Sequence, residues 1–188
     1  MAKAYVFLAD GFEDIEALAP IDIMRRGGVE VVTVGIMGTN EVISAHGVTV
    51  LADVPFEFAG DFEDADLLML PGGMPGASNL NEHEGVKDAL LKQNAAGKRI
   101  AAICAAPMVL GGLGLLKGKR ATCYPGFEQY LEGAEYTADL FNVDGNITTG
   151  EGPAAAFPFG YELLRQLKGE EIVEQLREGM RFNHLMNG

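Results

Sequence analysis

Apolar positions along the chain switch repeatedly between a short continuous run and a helical spacing. Ala4 to Leu8 (AYVFL) reads as a short buried strand, and Ile15 to Arg26 (IEALAPIDIMRR) carries a helical period closed by Gly27-Gly28. Val29 to Ile36 (VEVVTVGI) is a β-branched strand, and His46 to Leu51 (HGVTVL) alternates as an edge strand or hairpin arm does. Leu67 to Leu70 (LLML) predicts a buried strand stopped by Pro71-Gly72-Gly73. Gly85 to Ala96 predicts a helix with Lys87, Asp88 and Lys92 on its wet side. Further strands are expected at Arg99 to Ile103, Arg120 to Cys123 and Asn146 to Thr149. A helix should begin over Ala106 to Leu110, another should run from Ala154 to Leu167 around Pro158, and an amphipathic helix should close the chain from Glu170 to Asn183.

Strands and helices in alternation imply an α/β fold: a mostly parallel sheet covered on both faces, a three-layer sandwich. No repeat, low-complexity tract or linker interrupts the 188 residues, so residues 1–188 read as a single domain. In such sheets the ligand crevice lies outside the carboxyl ends of the strands. Ala9 to Glu13, Pro71 to Gly76, Cys104 and Tyr124-Pro125 each follow a strand, so all four should crowd one edge.

Composition removes several classes of function. Apolar residues at 48% and charged residues at 22% are ordinary for a globular protein. A net charge of -13 opposes binding to nucleic acid or to an anionic membrane. The first residues, MAKAYVFLADGFED, read as a first strand rather than a signal peptide, and no stretch is long and apolar enough to span a bilayer. Two cysteines form no disulfide framework, and the expectation is a reducing cytoplasm. Three scattered histidines do not suggest a metal site, and no cofactor is implied. Pro71 to Gly76 lacks the lysine and hydroxyl of a phosphate loop, and no G-x-G-x-x-G follows the first strand.

Candidate chemistry centres on Cys104. Ala102-Ile103-Cys104-Ala105-Ala106 has the small residues on either side that a nucleophile needs at a sharp strand-to-helix turn, with alanines in place of the usual glycines. Such a turn would favour the thiolate, and the backbone N–H groups of Ala105 and of the Gly72-Gly73 loop would face a developing oxyanion. The alternative is a small buried hydrophobe. In Gly11 to Leu18, Glu13 and Asp14 suit the first turn of a helix as outward-facing acids. Glu16 can turn inward, where a protonated carboxyl would donate to the thiolate. Cys123, His83 and His184 read as structural or surface residues, with His83 a helix-entry cap. Asp22 is spaced to pair with Arg25 or Arg26.

Together GFEDIEA at 11–17, PIDIMRRGG at 20–28, LPGGMPGASNL at 70–80, AAICAAPMVL at 101–110 and GEGP at 150–153 resemble the ThiJ/PfpI superfamily, in its DJ-one branch. The resemblance implies a flavodoxin-like fold (that of the class I glutamine amidotransferases) and usually a homodimer. It places Cys104 on the family cysteine, Glu16 on the family glutamate, and Gly72 and Gly73 on the glycine loop beside the thiol. His46 falls where some relatives carry a basic residue reaching the partner subunit's site, and Arg25 and Arg26 match a dimer-side basic pair. Three departures stand out. Ala105 follows the cysteine where the protease-like branch has histidine, which disfavours a peptidase. Tyr124 replaces a histidine that several relatives hold near the thiol. The family's GPG reads Gly152-Pro153-Ala154, and Pro158 should kink the helix that follows.

The implied activity is cofactor-free chemistry on a small reactive carbonyl such as methylglyoxal, or on its adducts, of the glyoxalase or deglycase type. Cys104 would be the nucleophile and Glu16 the proton carrier, with Gly72, Gly73, Ala105, Tyr124 and His46 around them. The alternative is a redox-responsive protective protein whose oxidisable Cys104 turns over little or no substrate.

Overall fold

The computed structural model describes residues 1–187. The chain alternates as its apolar pattern predicts: β1 (Lys3–Leu8), α1 (Asp14–Arg26), β2 (Glu30–Gly35), a hairpin of β3 (Glu41–Ile43) and β4 (Thr49–Leu51), β5 (Val54–Pro55) and β6 (Leu67–Leu70). Then come α2 (Gly76–Glu82), α3 (Glu84–Ala95), β7 (Arg99–Ile103), α4 (Pro107–Gly112), β8 (Arg120–Ala121), β9 (Glu135–Tyr136), β10 (Phe141–Asp144) and β11 (Ile147–Gly150). Three helices close the chain: α5 (Ala156–Lys168), α6 (Glu170–Gly179) and α7 (Phe182–Asn187).

Seven strands form the main sheet in the order β10-β11-β7-β6-β1-β2-β5. All neighbours are parallel except β10, which runs antiparallel to β11. Side chains alternate between two cores, as a pleated strand requires. Ala4, Val6 and Leu8 of β1, with Met69 and Ile103, pack on α1 and α5; Tyr5 and Phe7, with Leu68, Leu70 and Ile100, pack on α3 and α4. This is the three-layer α/β sandwich expected.

Several boundaries differ from the pattern-based expectation, each for a local reason. The His46–Leu51 segment is the turn and second arm of a hairpin, whose first arm is too short and polar to read as a strand. The strand expected at 120–123 stops at Ala121 and joins β9 in a separate two-stranded sheet, so Cys123 lies beyond it. β9, β10, α2 and the short β5 have no apolar pattern long enough to mark them in the sequence. Pro158 does not interrupt α5: it occupies the first turn, whose N–H groups have no intrahelical partner, so the proline removes no bond. The terminal helix expected at 170–183 breaks after Gly179, where Arg181 adopts φ +63°. Helix α7 then starts afresh, with the Phe182 ring set against Phe157 and Tyr161.

Parallel strands deliver the loops after β1, β6 and β7 to one sheet edge, and backbone bonds lock them together. Glu13 N–H donates to Gly72 O (2.9 Å), Gly76 N–H to Gly11 O (3.2 Å) and Tyr124 N–H to Cys104 O (2.9 Å). No helix among the described residues is long and apolar enough to cross a membrane.

Candidate active site

Cys104 is the first residue after β7 and has φ +65°. A β-carbon is strained in that left-handed region, so the thiol sits on a sharp turn between strand and helix, as its small neighbours predict. Its N–H donates to Gly150 O at 2.9 Å, which ties the turn to the end of β11. The residue is buried, 8% exposed.

Glu16 comes to the thiol from α1. With Ile15 and Leu18 exposed, its place on the helix turns it inward, and it is 0% exposed. Glu13 caps this helix, its carboxylate accepting the Glu16 N–H at 2.8 Å. In a full capping box the residue in the position of Glu16 would bond back to the Glu13 N–H. Here Glu16 Oε2 instead accepts the N–H of Gly72 (3.0 Å), and the freed Glu13 N–H takes the Gly72 carbonyl. The Gly72 peptide is therefore gripped at both ends. Glu16 Oε1 is buried without a hydrogen-bond partner.

Glycine is required twice here. A β-carbon on Gly72 would lie 2.5 Å from Glu16 Oε2 and 2.6 Å from Cys104 Cβ. At Gly73, φ is +89° and a β-carbon would run into the Glu13 backbone. The Gly73 and Ala105 N–H groups are aimed at the Cys104 sulfur, and both favour its negative form.

Burial pushes the Cys104 thiol well up, and the neighbouring Glu16 charge adds to the effect, outweighing the two backbone N–H groups. Burial likewise pushes Glu16 up to about 7, against the pull of Cys104 and the Gly72 N–H. The two buried groups thus oppose ionising together.

Tyr124 lies beside the elbow, bonded through its backbone to Cys104 and 47% exposed. His46 is not drawn to the thiol of its own chain. It sits exposed in the β3–β4 turn with Nδ1 2.8 Å from Asp14 Oδ2. Glu13, Asp14 and His46 bring ligand-type atoms within 4.8 Å of one another, a grouping that sequence reasoning missed because His46 is distant along the chain. Asp14 is already paired with His46, and Glu13 with the α1 cap. Arg26 pairs with Asp22 at 2.7 Å, whereas Arg25 turns to Asp53 at 2.6 Å. His83 Nδ1 accepts the Val86 N–H as a helix cap, and Cys123 is fully buried.

The model of the DJ-1/PfpI family matches residues 2–166. The chain is 36% identical over 181 residues to protein dj-1beta of Drosophila melanogaster, covering 95% of this chain and 96% of that one. It is 31% identical over 169 residues to a protein named deglycase from Pyrococcus abyssi (strain GE5 / Orsay), covering 88% and 99%. The crystal structure of a DJ-1 superfamily protein from Salmonella typhimurium superposes with a TM-score of 0.92 at 33% identity, over 96% of this chain and 98% of the other.

Proposed function

Because the chain belongs to the DJ-1/PfpI family, we propose that it is a cofactor-free enzyme converting small reactive carbonyl compounds or their adducts through Cys104 and Glu16. The observation that carries this reading is the fully buried carboxyl of Glu16, with Oε2 on the Gly72 N–H and only the thiol of a strained cysteine beside it to interact with the rest. A buried carboxylate so sparsely served by donors is costly, and a proton arriving there removes the cost. Glu16, pushed up to about 7, is suited to take and return a proton near neutral pH.

With methylglyoxal, the sulfur attacks the aldehyde carbon as Glu16 takes the thiol proton, so no free thiolate is needed beforehand. The new alkoxide, facing the Gly73 and Ala105 N–H groups, recovers that proton to give a hemithioacetal. Glu16 then carries a proton from this carbon to its neighbour while the hydroxyl proton passes to the former ketone oxygen, leaving a thioester of lactate. Water cleaves the thioester, releasing lactate and restoring the thiol. The name of the Pyrococcus relative supports the substrate class. The test is lactate formation from methylglyoxal by wild type, Cys104→Ala and Glu16→Gln. Both variants should fall to background, and a Cys104→Ala protein as active as wild type refutes the reading. Oxygen addition at Cys104 under mild peroxide, with no carbonyl turnover, would make it a redox-responsive protein instead.

The homodimer implied by the resemblance finds support in exposed apolar residues: Ile15 and Leu18 on α1, and Ile43 and Leu51 on the outer face of the hairpin. His46 lies on the same hairpin and would face across such a contact. Leu51→Glu should then shift the protein from dimer to monomer in sedimentation.

A further inference from the structure

A hollow of about 230 Å³ lies between the segments that flank the Cys104 turn, walled by Tyr124 and Pro125 on one side and Glu151 to Ala155 on the other. Both walls spring from the nucleophile's own peptide. Tyr124 N–H donates to Cys104 O, and Glu151 follows Gly150, whose carbonyl accepts the Cys104 N–H. The hollow is therefore built on the two segments whose backbones hold the Cys104 turn.

The lining is one-sided in charge. Glu151 is half-buried and, among the described residues, forms no ion pair and no side-chain hydrogen bond. Glu162, by contrast, is also half-buried and binds Arg165. No lysine, arginine or histidine lines the hollow. Glu128, which accepts the Gly126 N–H at 2.9 Å, adds a second negative charge on the Tyr124–Pro125 side. Gly152 supports the Tyr124 ring closely, since a β-carbon there would sit 3.2 Å from it. An aromatic ring beside an unpaired carboxylate is the chemistry that recognises an ammonium or guanidinium group.

We infer that this hollow is a specificity subsite, in which Tyr124 and Glu151 select carbonyl compounds bearing a positive charge over neutral or anionic ones. The inference rests on the carbonyl-processing reading above, and its test is independent of turnover. Cys104 is modified with two methanethiosulfonates, one carrying an ethyltrimethylammonium group and one an ethylsulfonate. Each passes its alkylthio group to the sulfur and leaves as methanesulfinate. Peptide mass spectrometry counts the adduct at Cys104. Wild type should react faster with the cationic reagent, and Glu151→Gln should lower the cation-to-anion rate ratio by about three- to fivefold. Glu151→Lys should lower it further. Glu63→Gln, at the opposite end of the strands, controls for net charge. A ratio unmoved by Glu151→Gln, or moved equally by Glu63→Gln, overturns the subsite. Failure of the carbonyl reading would show separately, as wild type producing no lactate from methylglyoxal.

Discussion

The backbone N–H of Gly72 meets Glu16 Oε2 at 3.0 Å, and no atom larger than hydrogen fits on the Gly72 α-carbon without entering the space of that oxygen and of Cys104 Cβ. One glycine thus sets the distance between acid and nucleophile. Gly72→Ala should push the carboxyl and thiol apart, lowering kcat/KM for the carbonyl substrate by about a hundredfold. It should also cost about 1–3 kcal/mol from overpacking against groups with no room to move. Steady-state kinetics and a urea melt on the same preparation check both figures.

The strain at Cys104 has its own signature. Its φ of +65° burdens any residue with a β-carbon, alanine included. Cys104→Gly should therefore be more stable than Cys104→Ala by about 1 kcal/mol, although glycine elsewhere in a folded chain is the less stable choice. Denaturant midpoints of the two variants decide it; the reverse order would mean an unstrained turn.

The raised Glu16 fixes the sign of a pH dependence. Its carboxyl titrates near 4.5 in the unfolded chain and at about 7 in the folded one. Between these values the folded state holds a proton that the unfolded state has lost, so this group's stabilising contribution is complete below 4.5 and drains away as pH rises through 7. The loss is on the order of 3 kcal/mol. Glu16→Gln should flatten that slope and leave the variant more stable than wild type at pH 8. Thermal melts at pH 5 and pH 8 show whether the slope belongs to Glu16.

How much of this was legible beforehand follows the physics of each feature. Runs such as AYVFL and LLML are buried on both sides and announce parallel strands, so the sandwich and its reactive edge could be read directly. The elbow was legible because a tight turn demands small neighbours, and Glu16 because the helical period turns it inward. Illegible features depend on distant partners. β10 (FNVD) is too short and mixed to declare itself without β11 beside it, and Asp14 meets His46 only through the hairpin's return. The backbone N–H groups that favour a thiolate at Cys104 can be read from its turn. The desolvation that opposes them cannot, because it arises from both layers closing around it.

Glu13 links the helix cap to the chemistry and yields a separable pair of effects. Its carboxylate accepts the Glu16 N–H at 2.8 Å, and its charge is one of the influences that keep Glu16 high. Glu13→Ala removes cap and charge together and should cost about 1 kcal/mol, the ordinary loss of an N-cap acceptor. Glu13→Gln keeps an oxygen in place for the cap but removes the charge. Stability should then fall by less than with alanine, while the Glu16 carboxyl titrates at lower pH because its neighbour no longer repels its ionised form. The pH profile of kcat/KM for Glu13→Gln should therefore shift its Glu16-dependent limb toward acid. An unshifted limb with a destabilised protein would confine Glu13 to capping, and a shifted limb with unaltered stability would confine it to electrostatics. The geometry requires both.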